Sequence, residues 1–173
     1  DNDESACYLL RDWLFSEELL KPNVLVLSTR WRWNIEGDRY DNGEGGIEPG
    51  SFGKVEVDLR TDVSIFEHIR TRLIDLSDKH RLVLVDQIPE LGFDVVWEKM
   101  RNPEKKHTHS YQEYRRQNKR VMEVLESVPN TLLLRSHERV CSVDSERCVT
   151  EIHGDLLYTD TNHPSDKFAQ MLA

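Results

Sequence analysis

Apolar and polar residues alternate along the chain in blocks that predict helices and strands in turn. Three stretches carry apolar residues at helical spacing, namely residues 5–21, 64–79 and 110–128. Three shorter stretches predict strands, because each holds an apolar run bounded by polar residues: residues 24–27, 81–86 and 130–136. The continuous apolar run of residues 24–27 is typical of a strand buried on both faces of a parallel sheet. Residues 154–160 predict a further extended segment, and residues 164–173 a final helix.

Polar or glycine-rich segments separate these elements. Residues 34–54 predict a long loop, and the chain from Pro89 to about His109 predicts an irregular region. Because helix and strand alternate, the chain predicts βαβ units wound into a parallel sheet, an α/β fold of a single domain over residues 1–173. Ligands bind beyond the carboxyl ends of such strands, where Arg30, Trp31 and Gln87 are expected.

Composition narrows the function classes. The net charge of −9 argues against a nucleic-acid partner, since phosphate binding needs clustered Lys and Arg. The basic stretch 115–120 is most simply a solvated helix face. No apolar run approaches the roughly 20 residues of a membrane span. The chain begins with Asp1 and shows no signal peptide, so we treat it as a fragment of a larger protein.

The three cysteines leave two interpretations open. A short polar segment separates Cys141 from Cys148, and a turn there would bring both within disulfide reach. Cys7 would then need a partner upstream of the chain, and the pattern would favour an oxidising compartment. The alternative is three unrelated free thiols.

The stretch "YTDTNHPS", residues 158–165, holds the most specific chemistry of the chain. His163 before Pro164 is compatible with a simple helix start, because Pro suits the first helical position and Asp166 complements the helix dipole. In the other interpretation Asp160 fixes the tautomer of the His163 imidazole, whose second nitrogen then takes a proton from a nucleophile. Spacing alone does not choose between them.

Other motifs carry weaker signals. Trp31 and Trp33 either pack at a sheet edge or present a ring for stacking on a sugar. His107 and His109 form a His-x-His pair, but no nearby Cys or carboxylate completes a metal site, so we predict no metal and no cofactor. The glycine-rich residues 43–46 neither follow a buried strand nor open a helix, which argues against a phosphate loop.

The C-terminal stretch "GDLLYTDTNHPSDKFAQMLA" resembles the last block of SGNH-type esterases and acetyltransferases, an Asp-x-x-His. It is most similar to the SGNH domain attached to membrane O-acyltransferases of the acyltransferase-3 family. "KPNVLVLSTRW" resembles that family's strand ending in Arg-Trp. "YRRQNKRVMEVLESV" resembles its helix with an Asn, and "RVCSVDSERCVTEIHGDLLYTD" its paired cysteines before the Asp. The similarity runs over roughly residues 7–173.

The resemblance implies a three-layer, flavodoxin-like SGNH-hydrolase fold and acyl transfer. An upstream serine would attack an acyl donor, His163 would act as general base and acid, and Asp160 would orient it. We expect Arg30, Trp31 and Asn34 to line the pocket for a hydroxylated acceptor, a carbohydrate or a lipid. The resemblance also implies a membrane acyltransferase domain in the same parent chain and an extracytoplasmic location.

Departures from the family pattern leave a second function open. Pro164 stands where the family usually has Leu, and Lys167-Phe168 where Gly-Ala is common. The Gly-Asp-Ser nucleophile motif is not in the sequence, so we expect the first strand and the serine to lie upstream, and the isolated fragment to be inactive. The alternative is a non-catalytic module of the same fold that binds a glycan or a protein partner.

Overall fold

A computed structural model of the chain describes residues 23–36, 40–47 and 65–172. The predicted helix over residues 5–21, which includes Cys7, and residues 37–39 and 48–54 of the predicted loop lie outside the described residues. In chain order the described elements are β1 (Val24–Leu27), α1 (Trp31–Glu36), α2 (Ile65–Lys79), β2 (Arg81–Val85), α3 (Val95–Arg101), β3 (Thr108–Ser110), α4 (Tyr111–Glu126), β4 (Thr131–Leu134), a 3-10 helix (Ser136–Arg139), β5 (Cys141–Ser142), β6 (Arg147–Val149), β7 (Glu151–Ile152), β8 (Asp155–Leu156) and α5 (Asp166–Leu172).

A parallel three-stranded sheet in the order β1-β2-β4 forms the centre of the described structure. Leu82 and Leu84 of the middle strand have no exposed surface. They pack in one core cluster with Leu73 of α2 and with Val121 and Leu125 of α4. The predicted α/β class and its parallel sheet are therefore confirmed.

One face of this sheet is less covered than the sequence predicts. Val24 and Val26 of β1 are 61% and 62% exposed, and Leu132 of β4 is 58% exposed. The prediction that β1 is buried on both faces is therefore wrong for the described structure, and β4 is exposed on the same side of the sheet. The helices α2 and α4 cover the face of the sheet that carries Leu82 and Leu84. Successive side chains of a strand point to opposite faces, so Val24, Val26 and Leu132 point to the other face.

Several short elements were not predicted, α1, α3 and β3 among them. α1 runs into the predicted loop over residues 34–54, and α3 and β3 lie in the predicted irregular region from Pro89 to about His109. Asp94 precedes α3 and caps its first turn, since its side chain accepts a hydrogen bond from Trp97 N at 2.9 Å. An Asp at this position is a helix-start signal that the sequence does contain. A helix of 7 residues shows too few turns for its period to stand out.

The C-terminal part adds small antiparallel sheets, β3-β6-β5 and β7-β8. Cys141 and Cys148 pair directly across β5 and β6 and form a disulfide. A second core cluster holds α5 in place, since Phe168 is fully buried and lies edge-on to Tyr158 with ring centroids 5.6 Å apart. In the described part of the chain, no helix combines the length and the apolar composition that crossing a membrane requires.

His109 of β3 is a buried histidine whose two ring nitrogens have no hydrogen-bond partner among the described residues. Burial, together with the charge of Arg147, lowers its pKa from 6.5 to about 4. The unfolded chain therefore binds more protons than the folded chain between these two pH values. Stability is highest above pH 6.5 and falls as the pH drops toward 4.

We predict that His109→Phe removes most of this pH dependence. The wild type should lose about 3 kcal/mol of unfolding free energy between pH 7 and pH 4 through this residue. The Phe ring has a similar shape and no polar group to charge. Urea unfolding at pH 7, 5.5 and 4 measures the effect, with the exposed His68→Ala as control. An equal pH slope in wild type and His109→Phe would contradict the prediction.

Candidate active site

The turn over residues 158–165 joins the β7-β8 hairpin to α5 and is closed by backbone contacts. Tyr158 and Pro164 form a β-bridge, and Thr159 N donates to His163 O at 2.9 Å. Ser165 N donates to Leu157 O at 2.9 Å. Because Tyr158 is buried and packs on α5, the turn rests on a rigid base. Its tip carries both predicted catalytic residues.

Asp160 divides its two carboxylate oxygens between the turn and the imidazole. Oδ1 accepts the backbone N–H groups of Asn162 at 2.9 Å and His163 at 2.8 Å. Oδ2 lies 2.6 Å from His163 Nδ1. This contact places the ring hydrogen on Nδ1 in the neutral imidazole and leaves Nε2 as the acceptor. The His163 side chain is 70% exposed, so solvent reaches the ring.

Opposing effects act on the Asp160 carboxyl. Partial burial would raise its pKa, but the N–H groups of Asn162 and His163 and the imidazole together outweigh burial and lower the pKa. The carboxylate is therefore ionised at neutral pH. An ionised partner is what a histidine needs when it becomes positively charged during proton transfer.

The helix-start interpretation of the pair does not match the structure. α5 begins at Asp166, and Pro164 lies in the bridge to Tyr158 before the helix. Ser165 occupies the position before the helix, and its carbonyl accepts Ala169 N at 3.0 Å. Asp160 and His163 thus serve the turn and each other.

Two further segments meet the turn at Leu91. Leu91 N donates to Thr161 O at 2.9 Å, and Leu91 O accepts the side chain of Asn42 at 2.9 Å. The buried Asn42 also accepts Glu44 N and Gly46 N through Oδ1, which shapes residues 40–47 into a compact loop. The sequence did not single out Asn42, although the Asn-Gly pair in a glycine-rich stretch is a turn signal.

The predicted pocket residues are placed differently from one another. Arg30 Nε donates to the buried carboxylate of Glu90, the residue before Leu91, at 2.8 Å. Trp31 is 5% exposed, packs in the sheet core and donates Nε1–H to Val85 O at 2.7 Å, so it leaves no ring face for a ligand. Asn34 is exposed and donates to Thr29 Oγ1 at 2.9 Å. Of the three, Arg30 alone is linked to the turn through these contacts.

The carboxyl end of the sheet holds a second carboxylate–imidazole pair that the sequence did not reveal. Asp86 follows β2 and has no exposed surface. It accepts hydrogen bonds from Ser136 N at 2.8 Å, from Ser136 Oγ and from His137 Nδ1. Its neighbour Gln87, expected at the ligand-binding edge of the sheet, instead accepts a hydrogen bond from Arg32 N at 3.0 Å in the interior. The hydrogen bonds of Asp86 with Ser136 and His137 join the ends of β2 and β4.

The His-x-His pair is split between different surroundings. His107 lines a surface pocket, whereas His109 is fully buried. Within residues 23–36, 40–47 and 65–172, no three His, Cys, Asp or Glu side chains cluster in a way that would hold a metal ion.

The chain combines a parallel α/β sheet with an Asp-x-x-His pair in the turn before its last helix, and these two features point to its class of protein. A family model described as SGNH domain (fused to AT3 domains) matches residues 1–173. The chain therefore belongs to this SGNH family, whose type of activity is that of hydrolases and acyltransferases. Fusion to AT3 membrane domains indicates a membrane-attached parent protein. Comparison with curated proteins and with solved structures gave no match.

Gly92 holds residues 40–47 against the segment that carries Leu91. Its φ is +73°, and a Cβ there would collide with the carbonyl of Gly46. Gly45 has a similar φ of +91° but open space around it. We predict that Gly92→Ala costs about 2–4 kcal/mol, from backbone strain plus the collision, and that Gly45→Ala costs about 1–2 kcal/mol from strain alone.

Chemical denaturation of the two variants measures both costs. Hydrogen exchange should show faster exchange of the Gly46 and Leu91 amides in Gly92→Ala than in Gly45→Ala. Equal destabilisation by both substitutions would show that the close approach of Gly92 to Gly46 is unimportant.

Proposed function

We propose that the domain is the acyl-transferring or ester-hydrolysing part of its parent, with a Ser-His-Asp triad acting on acyl esters of hydroxylated acceptors. The observation that carries the proposal is the 2.6 Å contact of Asp160 with His163 Nδ1 on an exposed turn. This geometry leaves Nε2 free to exchange a proton with a nucleophile, which a structural pair in the interior could not do.

The serine would come from a segment outside the 173 residues, because no Gly-Asp-Ser occurs in the sequence. Ser165, the serine nearest to His163 along the chain, donates its hydroxyl to Leu156 O at 2.8 Å and is therefore engaged. The exposed face of the imidazole leaves space for a nucleophile to approach from elsewhere in the parent.

Proton transfers in the proposed reaction balance at His163. Nε2 accepts the proton of the serine hydroxyl as its oxygen attacks the acyl carbonyl. The protonated imidazole then gives that proton to the departing alkoxide, which leaves an acyl-serine. Water or an acceptor hydroxyl repeats the two steps and frees the serine. Asp160 keeps Nδ1–H in place and stabilises the imidazolium throughout.

Arg30 and Asn42 are the side chains that we propose near the reacting groups. Arg30 is held by Glu90 next to Leu91, and Asn42 bonds to Leu91 O. The proposed acceptor is a carbohydrate or a lipid, and the proposed partner is the membrane acyltransferase domain of the same parent. The Cys141–Cys148 disulfide supports a location of the domain outside the cytoplasm.

A second candidate is a non-catalytic SGNH-like module that binds a glycan or a partner. The lack of a Gly-Asp-Ser in the sequence favours it. The two candidates differ in the role of the His163 imidazole. The enzyme needs the imidazole to transfer protons, whereas a binding module does not.

We predict that His163→Ala in the intact parent lowers acyl-ester turnover by about 10²–10⁴-fold, the usual contribution of a general base. Asp160→Asn should lower kcat as well, because the amide cannot stabilise the imidazolium. Release of acetate from an acetyl ester measures both. The control is His68→Ala on the exposed face of α2, with circular dichroism to verify folding.

Unchanged turnover in His163→Ala would exclude this residue from the mechanism. Turnover that is absent from the wild-type parent as well, with a glycan still bound, would favour the binding module.

A further inference from the structure

A pocket of about 380 Å³ lies between α4 and residues 135–138 and contains the His137 side chain. Its volume is within the roughly 300–1,000 Å³ of small-molecule sites. Its lining residues come from α4 and from the chain that follows β4, and none belongs to the turn of Asp160 and His163. We refer to it as the His137 pocket.

The His137 ring is fixed on three sides. Its Nδ1 donates to the fully buried Asp86, which Ser136 also holds. The rings of Tyr111 and Tyr114 lie against it, with centroids 5.9 Å and 5.2 Å away. Since Nδ1 is engaged, Nε2 is the nitrogen left for a ligand, and no residue of the described chain forms a hydrogen bond with it. In the neutral imidazole Nε2 accepts a hydrogen bond.

A second unused acceptor belongs to a residue that lines the same pocket. Asn118 lines it and is 1% exposed. Its amide nitrogen donates to Tyr114 O at 2.9 Å, which assigns the other amide atom as Oδ1, and Oδ1 has no partner among the described residues. An unsatisfied buried acceptor costs about 1–3 kcal/mol. A ligand that donates hydrogen bonds to both acceptors would recover this energy.

Three cationic and three anionic side chains line the pocket, so its net charge is neutral. Any preference for an anionic group comes from one cation that has no carboxylate partner among the described residues. Arg135 pairs with Glu126 at 2.6 Å and lies 3.9 Å from Glu138, so both carboxylates have a cation beside them. Arg115 lies over the Tyr111 ring at 4.7 Å. Among the ion pairs of the described residues, none involves Arg115. Its guanidinium is therefore available for a phosphate or a carboxylate.

We propose that the His137 pocket binds a small ligand that carries neighbouring hydroxyl groups and one anionic group. Its hydroxyls donate to His137 Nε2 and Asn118 Oδ1, and its anionic group pairs with Arg115. Binding involves no covalent step and does not use Asp160 or His163.

Titrations of the 173-residue chain, followed by two-dimensional NMR, test the proposal with simple probes. Two combined probes, sn-glycerol 3-phosphate and glycerate, carry both hydroxyl groups and an anionic group. Two single probes serve for comparison: glycerol carries only hydroxyl groups, and inorganic phosphate supplies only the anionic group. We expect at least one combined probe to bind about tenfold more tightly than glycerol or phosphate. Its shifts should be centred on Tyr111, Asn118 and His137. The tighter of the two combined probes identifies phosphate or carboxylate as the anion.

Two variants separate the halves of the site. His137→Asn keeps an amide N–H for Asp86 and removes Nε2, so it should weaken the combined probe about three- to tenfold and leave inorganic phosphate unaffected. Arg115→Met changes an exposed residue and should weaken both the combined probe and phosphate. The control His68→Asn should bind every probe as the wild type does. If His137→Asn fails to fold, Arg115→Met still provides the test.

The proposal is overturned if no probe shifts the pocket residues, if phosphate alone binds as tightly as both combined probes, or if Arg115→Met binds all probes like the wild type. These measurements need no acyl transfer. The proposal on the His163 turn can therefore fail while this one holds, and the reverse is equally possible.

Discussion

The buried carboxylate of Asp86 is the constraint on which the carboxyl edge of the sheet depends. A carboxyl group with no exposed surface is tolerated only when hydrogen bonds replace its water. Ser136 N and His137 Nδ1 supply such bonds from the segment after β4. Leaving a buried polar group without its partner typically costs about 1–3 kcal/mol. The ends of β2 and β4 are therefore held together, and residues 87–94 leave the sheet from a fixed point.

Because residues 87–94 start from a fixed point, the backbone of Leu91 can hold the segments around the proposed active site. Leu91 receives Asn42 from the glycine-rich loop and contacts Thr161 of the last turn. Glu90, beside it, holds Arg30. Three segments far apart in sequence are thus aligned by a few hydrogen bonds, each of modest net strength, about 0.5–1.5 kcal/mol. The bonds specify position more than they add stability.

The two carboxylate–imidazole pairs show how burial changes the use of the same chemistry. Asp160 and His163 lie on an exposed turn, so the imidazole can meet a nucleophile from another part of the parent. Asp86 and His137 lie inside the fold, and His137 reaches solvent only at a pocket that is open to the surface. Exposure suits proton exchange with an external group, and a concave site with a fixed imidazole suits the binding of a small molecule.

The sequence by itself determined the α/β class, the parallel strands, the helices α2, α4 and α5, and the Asp160–His163 pair. These features are local, because a period of apolar residues or a three-residue spacing is written within a single stretch of chain. Only the tertiary structure decided that Trp31 packs in the core, that Asn42 bonds to Leu91 and Arg30 to Glu90, and that Asp86 pairs with His137. Each of those contacts joins residues that are 49 to 60 positions apart in the sequence, so the contacts exist only after the chain has folded. No local pattern records them, since each depends on the packing of elements whose relative placement the strand order sets.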